Sequence, residues 1–497
     1  MSNISRRDAL IAAGGSLLTA ASAGLVGVAV QRKRPTNVIF IIADALRADR
    51  LGCYGYRCRT RGGSVDPTPN INRLAEEGTL FERCVSHSSW TVSSVAAKMY
   101  SAYPAVGGNF DSIAMPSPSR ALAEVFRAAG YSTQAIVTNA LLAADTPLGA
   151  LTVRGFDRYD TRLTEMINNP LKAQGIGRDL VYDRNFYAGN VFPEAAGRIS
   201  AANAQGRSVF MYLHLMDTHE PYNAVQPYLD ECPAAPMNGI PDFMLMPFIR
   251  HFAHARHQMA LTSQAAPFVR RLSALYDASV RYLDATMQDF MNRLAAQARR
   301  SNAIVVLTSD HGEEFGDHNW VGHAETLYYE SVHVPLIMWG VGVPRGKRIE
   351  NLIATLDIAP SLLALLGIAA PDTMIGNRVD LTSGETGRTH CVSALVKMPD
   401  WAKVMERAVA LSYQSGLRLI HHEYVAGGGK PPLNELFDLR TDPHEKRDLF
   451  PSRAAAVSAT VEQAHRFAEA YAAATGTAHK VDEETIKKMK ALGYLGG

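Results

Sequence analysis

The sequence predicts an α/β protein: a large mixed, mostly parallel sheet flanked by helices, with a small antiparallel subdomain at the C-terminal end. Three observations predict it. The apolar, β-branched run Ala303 to Thr308 leads into Ser309-Asp310-His311-Gly312-Glu313. A similar run, Val38 to Ala43, leads into Asp44. Between and beyond them, strand-like and helix-like segments alternate. In open α/β sheets ligands bind outside the carboxyl ends of strands. Two acidic strand ends, 266 residues apart, therefore point to one metal site assembled by the fold.

The elements follow in order. Val38 to Ala43 reads as a strand, and Asn70 to Glu77 as a short helix after Pro69. Thr91 to Met99 starts a helix. Ser119 to Ala129 is a helix stopped by Gly130, and Thr133 to Val137 a strand. Ser208 to Leu215 is a strand ending near Asp217 and His219. Phe268 to Leu294 has helical apolar spacing at Leu272, Leu275, Val280 and Leu283. Pro335 to Trp339 is a strand, and Leu356 to Leu366 an apolar helix that takes in Asp357. The stretches 140–207 and 221–265 read as loop-rich insertions that shape a pocket. In the tail, Ala408 to Ser412, Leu417 to Ile420 and Leu433 to Asp438 predict the antiparallel sheet, with a terminal helix over Glu483 to Leu492. The expected domains are 1–30, 35–390 and 391–497.

Hydrophobic content of 47% and charged content of 20% fit a globular chain of 497 residues. A net charge of +2 with no long basic run gives no nucleic-acid footprint. The first 30 residues differ from the rest. Ser5-Arg6-Arg7-Asp8-Ala9-Leu10 precedes an apolar stretch from Ile11 to Val30, the pattern of a twin-arginine export signal. Ala21-Ser22-Ala23 offers a cleavage site, which leaves the mature form with no membrane span. The alternative is an uncleaved anchor, since twenty apolar residues reach across a bilayer. The expected location is the periplasm or the medium, and the expected partner is the twin-arginine machinery. Five cysteines, Cys53, Cys58, Cys84, Cys232 and Cys391, leave disulfide pairing open. No C-x-x-C spacing suggests structural zinc.

An ordered series of motifs runs through the chain. It starts with Asn37 to Asp49, then Thr68-Pro69-Asn70-Ile71, and Trp90-Thr91-Val92-Ser93-Ser94. His214 to His219 follows, with Pro221 and Tyr222, then Ser309 to Glu313 and Gly322-His323. Val334 to Ile337, Asp357 to Ser361 and Leu436 to Leu439 close it. In this series the chain resembles the sulfatase family of the alkaline phosphatase superfamily. The resemblance implies an alkaline-phosphatase-like sandwich and a metal-dependent ester hydrolase.

Asp44 and Asp310 are the first candidates for metal ligands, because a hard divalent cation prefers carboxylate oxygens. His311 is the third, and an imidazole there suits manganese, iron or zinc better than calcium. The alternatives are a helix N-cap for Asp44 and a supporting hydrogen-bond donor for His311. Family members often carry a second aspartate where this chain has Ala45, and Asn where it has His311. These departures imply one divalent ion, Mn, Zn or Ca, held by Asp44, Asp310, His311 and the nucleophile.

The resemblance places the nucleophile at Thr91, where sulfatases carry Cys or Ser converted to formylglycine. Threonine cannot give that aldehyde, because its β-carbon bears a methyl; a metal-activated hydroxyl remains sound chemistry. The local alternative is again an N-cap. Proline and arginine of the family motif are replaced by Ser93 and Val95. Lys98, two turns beyond Thr91, either compensates for that arginine or faces solvent. By resemblance His219 and His323 contact the ester oxygen or the anion and assist the leaving group, the alternative being structural hydrogen bonds in a loop; His318, near the same loop, takes a supporting, substrate-binding part.

The function expected is hydrolysis of a sulfuric or phosphoric ester of a small molecule, glycan or lipid, with phosphoester chemistry favoured by the threonine. Transfer of a phosphoryl group to an acceptor alcohol is one alternative. A binding protein on the same fold, motivated by Ala45, Ser93 and Val95, is the other.

Overall fold

The computed structural model describes residues 36–106, 112–144, 146, 149–161, 187–222, 225–234, 236, 242, 245, 265–297, 302–397, 406–424, 431–473 and 479–480. The export segment 1–30 and the helix expected over 483–492 lie outside them. No helix among the described residues is long and apolar enough to cross a membrane.

Eight strands form the central sheet. In chain order they are β1 (Thr36–Ala43), β2 (Thr79–Val85), β3 (Ser132–Val137), β4 (Arg158–Thr161), β5 (Val209–Leu215), β6 (Asn302–Thr308), β7 (His333–Gly340) and β8 (Lys347–Ala354). Their spatial order is β8-β2-β7-β6-β1-β5-β3-β4. Only β7 runs against its neighbours β6 and β2; every other pairing is parallel. β1 lies between β6 and β5, with Ile42 paired to Thr308 on one side and His214 on the other. The ends that carry Asp44, Asp310 and His219 are therefore neighbours in space.

Strand alternation sorts β1 into two cores. Ile39, Ile41 and Ala43 face one layer, with α1 (Pro69–Glu76), α4 (Ala188–Ala204) and α5 (Ala266–Gln297) packed on it. Val38, Phe40 and Ile42 face the other, packed by α2 (Thr91–Tyr100), α3 (Leu122–Ala128) and α6 (Ile358–Leu365). In α5, Leu272, Tyr276, Val280, Leu283, Met287, Phe290 and Leu294 are buried at three- and four-residue spacings, as the sequence pattern predicts. Asp284 of α5 accepts from the backbone N–H of Asn70 (3.0 Å) and Ile71 (2.7 Å), so a distant carboxylate caps α1.

The tail forms an antiparallel sheet in sequence order: β9 (His390–Lys397), β10 (Glu406–Tyr413), β11 (Leu417–Tyr424) and β12 (Leu433–Asp438). One face, with Ala394, Ala408, Ala410 and Ile420, packs on Val92, Ala96 and Ala97 of α2. The other, with Val409, Leu411, Leu419 and Leu436, packs on Ala464 and Ala468 of α7 (Ser458–Ala473). α2 thus lies between the two sheets, and all ten of its residues are buried.

Several elements differ from the sequence expectation. The stretch read as a loop-rich insertion includes the 17-residue helix α4, which accommodates Pro193. Strands β2, β8 and β9 lack a clear apolar alternation, and tertiary pairing decides them. The Leu356–Leu366 helix divides into a 3₁₀ turn at Thr355–Asp357 and α6, because Asp357 turns its carboxylate back onto Ala354 N (2.9 Å) and Asn377 N (2.6 Å). All five cysteines are free thiols.

Candidate active site

The carboxyl ends of β6, β1, β5 and β3, together with the N-terminus of α2, converge on one buried cluster. Asp44 follows β1, Asp310 and His311 follow β6, His214 belongs to β5, and Asn139 follows β3. Asp44, Asp310, His311, His214 and Thr91 are each inaccessible to solvent.

The two carboxylates share a pattern. Asp44 Oδ2 accepts from His214 Nε2 and Asn139 Nδ2, both at 2.8 Å. Asp310 Oδ1 accepts from the backbone N–H of Ala45 (3.1 Å) and His311 (3.0 Å). The remaining oxygens, Asp44 Oδ1 and Asp310 Oδ2, are buried with no hydrogen-bond partner. They lie 3.6 and 3.5 Å from the same atom, His311 Nε2. His311 Nδ1 donates to the Gly312 carbonyl (2.8 Å), which leaves Nε2 as an acceptor. Thr91 Oγ1 lies 3.1 Å from that nitrogen. A buried carboxylate oxygen without a partner is costly. Two of them beside an imidazole lone pair and a hydroxyl form a donor set suited to one divalent cation. His214 is also close enough to serve as a ligand. Its Nε2 is committed to Asp44, however, and its Nδ1 takes the Tyr212 hydroxyl at 2.9 Å, so it orients Asp44 instead.

The charges fit this arrangement. Burial opposes ionisation of Asp44, but His219, His214 and His311 outweigh it and hold the carboxyl well below the usual carboxylate range. Ala45 has a left-handed backbone (φ 61°) that aims its N–H at Asp310.

Thr91 is the first residue of α2, and Trp90 holds the N-cap position with no side-chain cap bond. The threonine hydroxyl meets His311, not the helix amides. Asp44 likewise binds Asn139 and His214, and the 3₁₀ turn that follows, Ala48–Arg50, has Arg47 at its N-cap. His323 stacks on His311 (ring centroids 4.4 Å apart), and His219 meets His323 edge-on at 4.8 Å. His323 Nδ1 lies 3.0 Å from Glu313 Oε1, and His219 Nδ1 2.7 Å from the Glu220 carbonyl, so both rings are fixed in orientation. Thr91, His219, His323, Asp44, Asp310 and His311 thus form one contiguous group.

The other two predicted residues sit differently. Lys98 is fully buried, which removes the solvent-facing alternative. Its ammonium has no hydrogen-bond partner; burial pulls its pKa down to about 8, and Asp310 acts in the opposite direction. It acts on the cluster through space, from within α2. His318 is tied elsewhere: Nδ1 to Glu330 (2.5 Å) and Nε2 to the Glu445 carbonyl (3.0 Å), with its ring stacked on Tyr328. Val95, at the family's arginine position, packs in the core.

Sequence reasoning gave no role to His214, Asn139, Glu313 or Arg47, although all but Asn139 lie within its motifs. Arg47 is buried and ties the β1 exit to the loop after β6, through the Glu313 carbonyl (2.9 Å) and Asp317 (2.8 Å). One signal was available, since a histidine inside the apolar run Val209–Leu215 needs a buried partner.

Comparisons with known proteins identify the family and the fold. The sulfatase family profile matches residues 36–368, and the profile for the N-sulphoglucosamine sulphohydrolase C-terminal region matches residues 316–467. Human arylsulfatase K is 28% identical over 228 residues, which is 45% of this chain and 41% of that protein. The chain therefore spans less than half the length of that relative. An ulvan-active sulfatase from Formosa agariphila is 26% identical over 445 residues, covering 84% of this chain and 78% of that protein. Two solved structures share the fold. One is a phosphonate monoester hydrolase of Agrobacterium radiobacter (TM-score 0.63, 19% identity, 88% of this chain and 96% of that one). The other is a 2-O GAG sulfatase (TM-score 0.63, 19% identity, 90% and 95%). The sheet, its flanking helices and the antiparallel tail make up the alkaline-phosphatase-like fold, and with the profile match over more than half of its length the chain belongs to the sulfatase family.

Proposed function

We propose that this protein is a metal-dependent hydrolase of sulfuric or phosphoric esters, with Thr91 as nucleophile and phosphoesters preferred. The observation that carries the reading is the convergence of Asp44 Oδ1, Asp310 Oδ2, His311 Nε2 and Thr91 Oγ1. Asp44, Asp310 and His311 would hold one divalent ion. When bound, it supplies Lewis acidity: it lowers the pKa of a nearby hydroxyl and offsets charge on the transferred group.

The chain's own residues supply the rest. The first amides of α2 point toward the N-terminal end, where an anionic ester group is favoured. They serve where the family's arginine is absent. Thr91 Oγ1 loses its proton to solvent as it attacks phosphorus or sulfur in line with the ester oxygen, the ester bond breaks, and a covalent Thr91 ester forms. His219 or His323 gives a proton to the departing alcohol. Water then displaces Thr91 and releases the inorganic anion. A formylglycine hydrate can shed its sulfate by eliminating back to the aldehyde; threonine has no such exit and needs a second displacement. That requirement supports phosphate over sulfate. The substrate is a small-molecule, glycan or lipid ester, reached after twin-arginine export. The ulvan-active and GAG sulfatases among the relatives put polyanionic glycans on the substrate panel.

The test is a panel of aryl sulfate, phosphate monoester, phosphodiester and phosphonate monoester substrates, run with manganese, zinc or calcium. Thr91→Ala is expected to lower kcat by on the order of 10³-fold or more, with metal content unchanged. Thr91→Ser is expected to retain activity. Turnover undiminished in Thr91→Ala would refute the nucleophile. A metal-loaded wild type inert toward the whole panel, with or without an acceptor alcohol, would favour a binding protein. Fractionation of an Arg6→Lys/Arg7→Lys chain tests export and is expected to find it retained in the cytoplasm.

A further inference from the structure

A second group of histidine and glutamate side chains lies in the antiparallel subdomain, on the face of the small sheet that packs against α7. Strand periodicity puts Leu419, His421 and Glu423 of β11 on that face, and Leu419 packs there with Ala464 and Ala468 of α7. Helix periodicity puts His465 and Glu469, four residues apart, on one side of α7, next to that contact. An H-x-E pair on a strand and an H-x-x-x-E pair on a helix therefore meet across a packed seam.

The atoms converge. His421 Nε2 lies 3.0 Å from Glu423 Oε1, and His465 Nδ1 bonds the same oxygen. His421 Nδ1 is engaged by the Asn434 side chain (2.7 Å), so Nε2 is the atom presented to the cluster. One ligand atom from each of the three residues lies within 4.8 Å of the other two. Glu469 Oε1 stands 3.6 Å from His465 Nε2 and adds a second negative charge at the rim. His421 and Glu423 are almost buried, their side chains 3% and 11% exposed, whereas His465 is 45% exposed. The seam is thus fixed on the strand side and open on the helix side. None of these residues belongs to the active-site cluster.

We propose that His421, Glu423 and His465 form a second metal site, for a borderline divalent ion of the zinc class. The donor set selects that class: two imidazole nitrogens and one carboxylate suit zinc, cobalt or nickel, whereas calcium and magnesium require oxygen shells. Two neutral imidazoles and two carboxylates carry a charge of −2, which a divalent ion balances. The half-exposed side leaves a coordination position for water. The ion's role is to staple α7 to β11, which fixes the helix covering the outer face of the small sheet.

The test counts metal on the full chain. Chelator-treated protein is titrated with Zn²⁺, and in parallel with Co²⁺, whose visible absorption reports nitrogen and carboxylate ligation. Wild type is expected to take up one equivalent that His465→Ala loses and Asp310→Ala keeps. The Asp310→Ala arm makes the result independent of the active-site reading. Zn²⁺ is expected to raise the unfolding midpoint of the Asp310→Ala chain but not that of an Asp310→Ala/His465→Ala chain. His465 is half-exposed, so its loss leaves the core intact; circular dichroism checks this, and His465→Gln serves as a second variant. Equal zinc and cobalt uptake by wild type and both His465 variants would overturn the site, leaving an ion-paired cluster only.

Discussion

At the residue scale, one hydrogen-bonding rule organises the site. Asp44 and Asp310 each offer one oxygen to protein donors and leave the other toward the shared centre. His214 and Asn139 therefore matter as much as the Asp44 carboxylate they orient. His214→Gln is expected to weaken metal binding by about 10–100-fold while the fold persists, as read by competition with a chelator. An unchanged affinity would show that Asp44 needs no orienting partner. Lys98 belongs to the same scale. Its buried ammonium places positive charge on the helix that Thr91 begins, where Val95 supplies none. The spacing from Thr91 to Lys98 was legible in the sequence, but its burial was not, since a lysine with a long stem is exposed in most settings.

At the element scale, buried carboxylates anchor helix starts. Asp284 caps α1 from α5, and Asp217, after β5, accepts from Ala188 N (3.0 Å) at the start of α4. Burial pushes the Asp217 carboxyl from the usual 3.8 up to about 7, with the Ala188 N–H acting in the opposite direction. The native state then holds a proton that the unfolded chain has lost. Stability from this group is fully present below about pH 4 and is lost as pH rises to about 7. Asp217→Asn removes the loss. Its unfolding midpoint is expected to exceed wild type at pH 8, by on the order of 1–3 kcal/mol of stability, and to match it near pH 4. A variant less stable than wild type at pH 8 would show that the ionised carboxylate is the favoured cap. These caps explain why some helices escaped sequence reading. α4 contains Pro193 and takes its cap from a residue 29 positions away, so the local rules for helix starts find no signal.

At the scale of the whole molecule, the active site is a property of strand order. Four adjacent strand ends and the N-terminus of α2 each contribute a side chain, and the Asp44 and Asp310 carboxylates repel one another across the cluster they form. A bound cation is therefore expected to stabilise the entire fold. Stripping it should lower the thermal midpoint, re-addition at 100 times the Kd should restore about 2.7 kcal/mol, and the gain attributable to this site should vanish in Asp310→Ala. A midpoint blind to chelation would argue against the metal. The sequence by itself determined the apolar runs of β1, β5 and β6, the amphipathic stripe of α5, and the acid, imidazole and hydroxyl groups that end or begin those elements, because periodicity and side-chain chemistry are local. Only the tertiary structure decided that β1 lies between β6 and β5, that His214 and Asn139 serve Asp44, that Lys98 is buried, and that His318 turns to Glu330. Those outcomes depend on pairings between segments distant in the chain, and local periodicity carries no information about which strand lies beside which.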